Sequence, residues 1–240
     1  LICNMKFDFQ LSSEEKNFPP MGLIVLQVDE TIEGEFREAF RASKNQIFVT
    51  RIPSGLEVTA ETLTSMEQHI TASAKLLPQS REFSVIGYGC TSASAIIGSE
   101  KISKLIKFGC NTRKVTNPLL AATEYAKHIG VKKLALLSPY IEEVNTPLRK
   151  AFANNGLSTE AFGTFGEGKE EKVARISEKS TTEAAISLGK NKSIEAVFIS
   201  CTNLRTFNCL EKIADSIKKP VFSSNQSLAW HMRELSSQKR

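Results

Sequence analysis

Short apolar runs rich in branched residues alternate with longer amphipathic segments along almost the whole chain, and this alternation restricts the fold more than any other feature. The first run, Gly22 to Val28 (GLIVLQV), has the pattern of a strand buried on both faces of a parallel sheet. A helix-like segment follows over 31–41, then strand 46–51, helix 60–77, strand 83–88 and helix 95–108, with Pro53 and Gly55 punctuating the second connection. Asn117-Pro118 predicts a helix start and Gly130 a stop, giving a helix over 119–128. The second half repeats the scheme: strand 133–137, helix 146–154 ended by Gly156, strand 158–165, helix 173–188, strand 196–200, helix 204–217, strand 220–223 and helix 226–235. Such alternation implies right-handed crossovers and parallel sheets covered by helices on both faces, an α/β fold.

Two stretches divide the chain. GYGCTSAS (87–94) follows the run Phe83 to Ile86, and SCTNLRT (200–206) follows Ala196 to Phe198, more than a hundred residues later. Each cysteine falls at the third strand-to-helix turn of its half, at the edge where α/β sheets bind ligands. A chain of 240 residues that is 41% hydrophobic can bury two cores. The expected architecture is therefore two pseudo-symmetric lobes, each a parallel sheet flanked by helices, with the two Cys-Thr motifs facing each other across a cleft. The expected boundaries are 1–115 plus 220–240 for the first lobe and 116–219 for the second.

Charge and composition exclude several classes. The net charge of +5 comes from 31 basic and 26 acidic residues mixed along the chain, with only 8% aromatics, so no nucleic-acid partner is expected. No apolar run approaches a membrane span, and LICNMKFDFQ at the start lacks the layout of a signal peptide, which points to a cytoplasmic protein with no membrane partner. Five cysteines are an odd number, in keeping with reduced thiols. There is no Cys-x-x-Cys pair and the three histidines lie far from the cysteines in sequence, so no metal site is expected. A homo-oligomer is compatible with all of this.

Cys90 and Cys201 carry the chemical reading. A thiol at the first turn of a helix sits beside unpaired N–H groups that favour thiolate, and the same groups with the hydroxyls of Thr91, Ser92, Ser94 and Thr202 offer a site for a carboxylate. The structural alternative is that a cysteine at a strand end simply fills space. Two at matching positions, each followed by Thr and another small polar residue, favour function. Thiols on opposite sides of a small substrate suit proton removal or attack at a carbon beside a carboxylate from one face and proton delivery from the other, without a cofactor. A tyrosine-phosphatase loop is excluded because positions 96 and 207 are Ile and Phe where it needs Arg, and GYGCTS lacks the third glycine of a dinucleotide loop.

Together GYGCTSAS, SPYIEEVNTPLR (138–149), SCTNLRT and SSNQSLAWHM (223–232) resemble the maleate isomerase and arylmalonate decarboxylase group of the aspartate/glutamate racemase superfamily, with the nearest resemblance to its ectoine-utilisation members. The resemblance runs from Gly22 onward. It implies cofactor-independent isomerisation, racemisation or decarboxylation of a small carboxylate in the cleft. Cys90 then matches the nucleophile or base of the first lobe and Cys201 the acid or base of the second. Thr91 and Ser92 match a carboxylate cradle, Thr202 and Asn203 its counterpart, and Tyr140 a tyrosine that hydrogen-bonds substrate. Maleate isomerases place asparagines where this chain has Asp29 and Gly166. An anionic Asp29 repels a dicarboxylate and suits a substrate with a cationic or N–H-bearing group beside its carboxylate, such as an amino acid or an N-acylated diamino acid. Asp29 also has the position of a helix N-cap. An arylmalonate-type decarboxylase matches at Cys201 but normally lacks the first cysteine, and a ligand-binding module that has lost turnover is a further alternative.

The remaining residues have plainer expected roles. Asn145, Asn225 and Gln226 lie near helix starts and are expected to cap them. Trp230 is expected in the core, Cys3, Cys110 and Cys209 as packing or exposed thiols, and Lys101, Lys104 and Lys107 on one solvated helical face.

Overall fold

A computed structural model describing residues 5–11 and 19–238 builds two four-stranded parallel sheets. The first contains β1 (Met21–Leu26), β2 (Ile47–Ile52), β3 (Phe83–Gly89) and β4 (Thr112–Thr116); the second contains β5 (Lys133–Ser138), β6 (Ser158–Thr164), β7 (Ala196–Ile199) and β8 (Val221–Ser223). The strand orders, β2-β1-β3-β4 and β6-β5-β7-β8, are the same order offset by four. The two-lobed α/β architecture thus follows from the repeat. In the middle of the first sheet β1 and β3 pair in register, Ile24 opposite Tyr88 and Val25 opposite Gly89, and every residue of both strands is buried. In the second, Leu137 of β5 lies opposite Ile199 of β7. The third strand of each sheet leads to its cysteine, β3 directly into Cys90 and β7 through Ser200 to Cys201.

Several elements depart from the sequence expectations. β4 (TRKVT) is an additional strand: it lies at a sheet edge with most of its side chains partly solvated, so no apolar run marks it. The segment expected as helix 60–77 divides into α2 (Ala60–Ser65) and α3 (Glu67–Lys75), and that expected over 95–108 into α4 (Thr91–Ile97) and α5 (Ser99–Gly109), broken at Gly98 with φ +91°. A separate turn, α8 (Glu170–Val173), precedes α9 (Glu178–Gly189). α10 (Leu210–Ile217) begins six residues later than expected, because residues 201–209 form a loop of turns.

Of the expected lobe boundary, the part that gave 220–223 to the first lobe is corrected, since β8 pairs with β7 in the second sheet. The helix that follows, α11 (Ser224–Ser237), does cross over: Leu228, Ala229 and Met232 pack with Met21, Leu23, Val25 and Val85 of the first sheet. α6 (Pro118–His128), which follows β4, makes the reverse crossing, with Leu119, Ala122 and Ala126 packed against Leu134, Leu136 and Phe198 of the second. Each sheet is therefore covered by the helix that follows the other sheet's last strand. Trp230, expected in the core, is only half-buried against Tyr125 and His128, whereas Lys101, Lys104 and Lys107 lie exposed on α5 as expected. Cys110 and Cys209 are buried free thiols, and Cys3 lies outside the described residues.

Candidate active site

Cys90 ends β3 and is the N-cap of α4, its Sγ accepting the Ala93 N–H at 3.4 Å. Cys201 ends β7 differently. It is not at a helix start, and its φ of +109° is a conformation that costs a non-glycine residue on the order of 1–3 kcal/mol. Its surroundings hold it there: the Cys201 N–H donates to Ser224 Oγ at 3.0 Å, the Asn203 N–H donates to Cys201 Sγ at 3.2 Å, and the Tyr140 hydroxyl lies 3.0 Å from the same sulfur. Ser224 Oγ also bonds Thr91 Oγ1 of the first lobe at 2.8 Å, so one buried hydroxyl links the two cysteine turns. Ser224→Ala is expected to lower stability by about 1–3 kcal/mol, because the Cys201 N–H loses its acceptor in a dry site. The melting temperature should fall by roughly 5 °C. An unchanged melting curve would show that Ser224 does not anchor the turn.

Two carboxylates face these thiols. Asp29, on the turn between β1 and α1 (Ile32–Ala39), accepts the Thr31 and Ile32 N–H groups on Oδ1, both at 2.8 Å; the N-cap position itself is Thr31, and Asp29 satisfies the first helical N–H from two residues before it. Its Oδ2 is buried without a partner, since the neighbouring Thr202 hydroxyl donates instead to the Gly89 carbonyl at 3.2 Å. Glu170, on α8, accepts the Tyr140 hydroxyl at 2.8 Å on Oε1 and Asn203 Nδ2 at 2.7 Å on Oε2. Asn203 Oδ1 in turn accepts the Glu30 N–H at 2.9 Å, tying the lobes together beside the site. A cavity of about 280 Å³ between Val28, Glu30, Leu56, Glu57 and Lys169 reaches Glu170.

Electrostatics reverse one expectation. Both thiols were expected to be biased toward thiolate, yet burial pushes Cys90 up to about 12, opposed by the Ala93 N–H and reinforced by Glu170 and Asp29. Burial raises Cys201 as well, again with Glu170 beside it. Asp29 and Glu170 are themselves raised by burial, and Tyr140 is raised by burial and by Cys201, Glu170 and Cys90. Low dielectric and two nearby carboxylates outweigh the few N–H groups that point at the sulfurs. At neutral pH both thiols rest protonated.

A sequence model of the arylmalonate decarboxylase family matches residues 50–240. The chain belongs to the arylmalonate decarboxylase family. No curated protein sequence matches it. Among solved structures it is similar to an alanine variant of the maleate isomerase Iso from Pseudomonas putida S16 with maleate, at TM-score 0.81 and 19% identity over 90% of each chain. It is also similar to a serine variant of the Nocardia farcinica maleate cis-trans isomerase with a covalently bound succinylcysteine intermediate, at TM-score 0.79 and 18% identity over 91% of this chain and 92% of that one. A liganded double variant of arylmalonate decarboxylase aligns at TM-score 0.79 and 19% identity over 92% and 94% of the two chains. At these identities the likeness is one of fold.

In this arylmalonate decarboxylase family chain, the structure gathers Cys90, Cys201, Asp29, Thr91, Ser92, Tyr140, Thr202 and Asn203 as buried residues at the facing strand ends. Of the expected carboxylate cradle, only Ser92 Oγ lacks a protein partner; the side chains of Thr91, Thr202 and Asn203 are engaged by Ser224, Gly89, Glu30 and Glu170. The expected caps are corrected. Asn145 lies inside α7 (Glu142–Asn154) and donates to the Tyr140 carbonyl at 2.6 Å, fixing the tyrosine's backbone, while Ser223 caps α11 through the Gln226 N–H. Asn225 Nδ2 donates to Glu35 Oε2 at 2.7 Å and to the Thr202 carbonyl at 2.8 Å.

Glu170 and Glu35 are the residues sequence reasoning missed. Glu170 sits in the run GKEEK, which has the look of a solvated face; the available signal was its place just past the sixth strand, on the ligand-binding edge. Glu35 lies three residues after Ile32 and beside Phe36, on the buried stripe of α1, which marks it as a buried acid.

Proposed function

We propose that this chain is a cofactor-independent enzyme acting at the carbon beside a carboxylate, with Cys90 and Cys201 as its working thiols, and that the reaction is an isomerisation or racemisation. The observation that carries the reading is the pair of buried thiols at the ends of the third strand of each sheet, with the Tyr140 hydroxyl 3.0 Å from Cys201 Sγ. One thiol removes a proton or attacks the carbon, and the other delivers a proton from the opposite side. Ser92 Oγ, buried and unpartnered, is proposed to bind the substrate carboxylate, with Thr91, Thr202 and Asn203 shaping the cradle.

The substrate class we propose is an amino-acid-derived carboxylate, as in ectoine-utilisation-like members of the group. Two features support it: the unpartnered Asp29 Oδ2, and the acidic cavity mouth, where Glu30, Glu57 and Glu171 outnumber Lys169. Both favour a cationic or N–H-bearing group and disfavour a dicarboxylate. Among the described residues four buried free thiols are in keeping with a reducing compartment, and we propose a cytoplasmic location.

The test follows small carboxylates by NMR in deuterated water. Free and N-acylated amino acids should gain deuterium at the α-carbon with loss of optical purity. Asp29→Asn, which keeps an oxygen for the Thr31 and Ile32 N–H groups, should lose about 10- to 100-fold of that activity, the scale of one charge-assisted hydrogen bond, and should gain some reaction with maleate. Unchanged kinetics in Asp29→Asn would remove the reason for an amino-acid-like substrate. Decarboxylation is the second reading, favoured by the family match itself. Loss of carbon dioxide from a malonate, with no exchange on any amino acid, would establish it.

A further inference from the structure

The site poses a problem that its geometry answers. Both thiols are buried and protonated, and a thiolate made by losing a proton to water would have to sit beside two carboxylates. Tyr140 has a single hydroxyl hydrogen, and its oxygen lies 2.8 Å from Glu170 Oε1 and 3.0 Å from Cys201 Sγ. With that hydrogen donated to the carboxylate, the contact with sulfur is made by the Cys201 S–H donating to the phenol oxygen. The three groups form one directed chain, S–H to O–H to carboxylate. The far oxygen of Glu170 is fixed by Asn203, and its backbone N–H donates to the Leu56 carbonyl at 3.1 Å, so the acceptor is held from both lobes.

Resting on the reading of Cys201 as a working thiol, we propose that Glu170 is the proton acceptor that arms it, with the Tyr140 phenol carrying the proton between them. The S–H bond breaks as its proton moves to the phenol oxygen, and the phenol O–H bond breaks as its proton moves to Glu170 Oε1. The electron pair left on sulfur makes the thiolate, Glu170 becomes a neutral acid, and the net charge of the site is unchanged. No proton enters or leaves the protein. The groups facing Glu170 are Asp29 beyond β1, Cys90 at the end of β3, Tyr140 beyond β5 and Cys201 beyond β7, with Glu30, Glu57, Lys169 and Glu171 on the cavity side. Asp29, the charged neighbour inside the site, raises the proton affinity of both Glu170 and Cys201, so it favours neither end of the transfer.

Labelling Cys201 with iodoacetamide, read by mass spectrometry of its peptide, tests this without any substrate. In the intact protein the rate should be nearly flat from about pH 6.5 to 8, because the thiolate forms by an internal shift. Glu170→Gln should label Cys201 at least about tenfold more slowly at neutral pH, with a rate that then rises about tenfold per pH unit as hydroxide takes over the deprotonation. Tyr140→Phe, which leaves the Glu170–Asn203 pair in place, should show the same slow, steep profile and serves alone if the Gln variant does not fold. A carboxylate that only repels the thiolate predicts the opposite sign. Labelling of Cys201 in Glu170→Gln that is equal to or faster than in the intact protein would overturn the proposal. Failure of the underlying enzymatic reading looks different: Cys201→Ala would keep turnover whatever the labelling profile.

Discussion

Cys201→Ala is expected to reduce turnover by about 10²- to 10⁴-fold, the contribution of a positioned proton donor or acceptor. The protein should stay folded, because alanine tolerates the φ of +109° no worse than cysteine does and the Ser224 anchor uses only the backbone N–H. Cys90→Ala distinguishes the two reaction types. In isomerisation or racemisation each thiol serves one face of the substrate carbon, so losing Cys90 should be as damaging as losing Cys201. Decarboxylation needs one proton donor, so Cys90→Ala should then keep its rate within about tenfold. Isotope exchange and carbon dioxide release, measured on both variants with melting curves as control, separate these outcomes. Near-normal turnover in both variants would end the case for thiol chemistry.

The largest expected effect on stability belongs to Glu35. Its buried carboxylate accepts the Thr206 N–H at 2.6 Å, the Phe207 N–H at 3.0 Å and Asn225 Nδ2 at 2.7 Å, so a helix of the first lobe holds the loop that follows Cys201 and the start of α11. Glu35→Ala would leave two buried or half-buried backbone donors and one of the two Asn225 amide N–H groups without an acceptor, a loss of about 3–5 kcal/mol. The melting temperature should drop by roughly 10 °C or more. Thermal unfolding followed by circular dichroism checks this, and a loss under about 1 kcal/mol would mean that water replaces the carboxylate without penalty.

How much of this was readable in advance depends on what kind of signal each residue carries. The strands buried on both faces, such as GLIVL and LALLS, announce themselves because the local pattern and the final environment agree. The polar edge strand β4 does not, since its pairing with β3 is a tertiary fact. The same division runs through the site. Cys90, Cys201 and Asp29 were found because strand ends define the ligand edge of an α/β sheet. Glu170 was not, because its burial depends on Tyr140, Asn203 and Leu56, which are distant in sequence and unremarkable alone. The protonation state of the thiols was misjudged for a related reason. N–H groups are visible from local structure, whereas desolvation and a carboxylate from the opposite lobe exist only once the chain has closed.

The reciprocal crossing of α6 and α11 bears on how the molecule is made. Leu23 and Val85 belong to the first sheet assembled, yet the side chains that cover them, Leu228 and Met232, are synthesised some 140 to 200 residues later. During translation the first sheet must therefore wait with one face open until α11 has left the ribosome, with an apolar surface exposed for much of that time. Contacts at such separations slow folding. They also make it all-or-none: neither half can be cut out as a module, and a chain truncated before α11 should be captured by chaperones or aggregate instead of yielding one finished lobe.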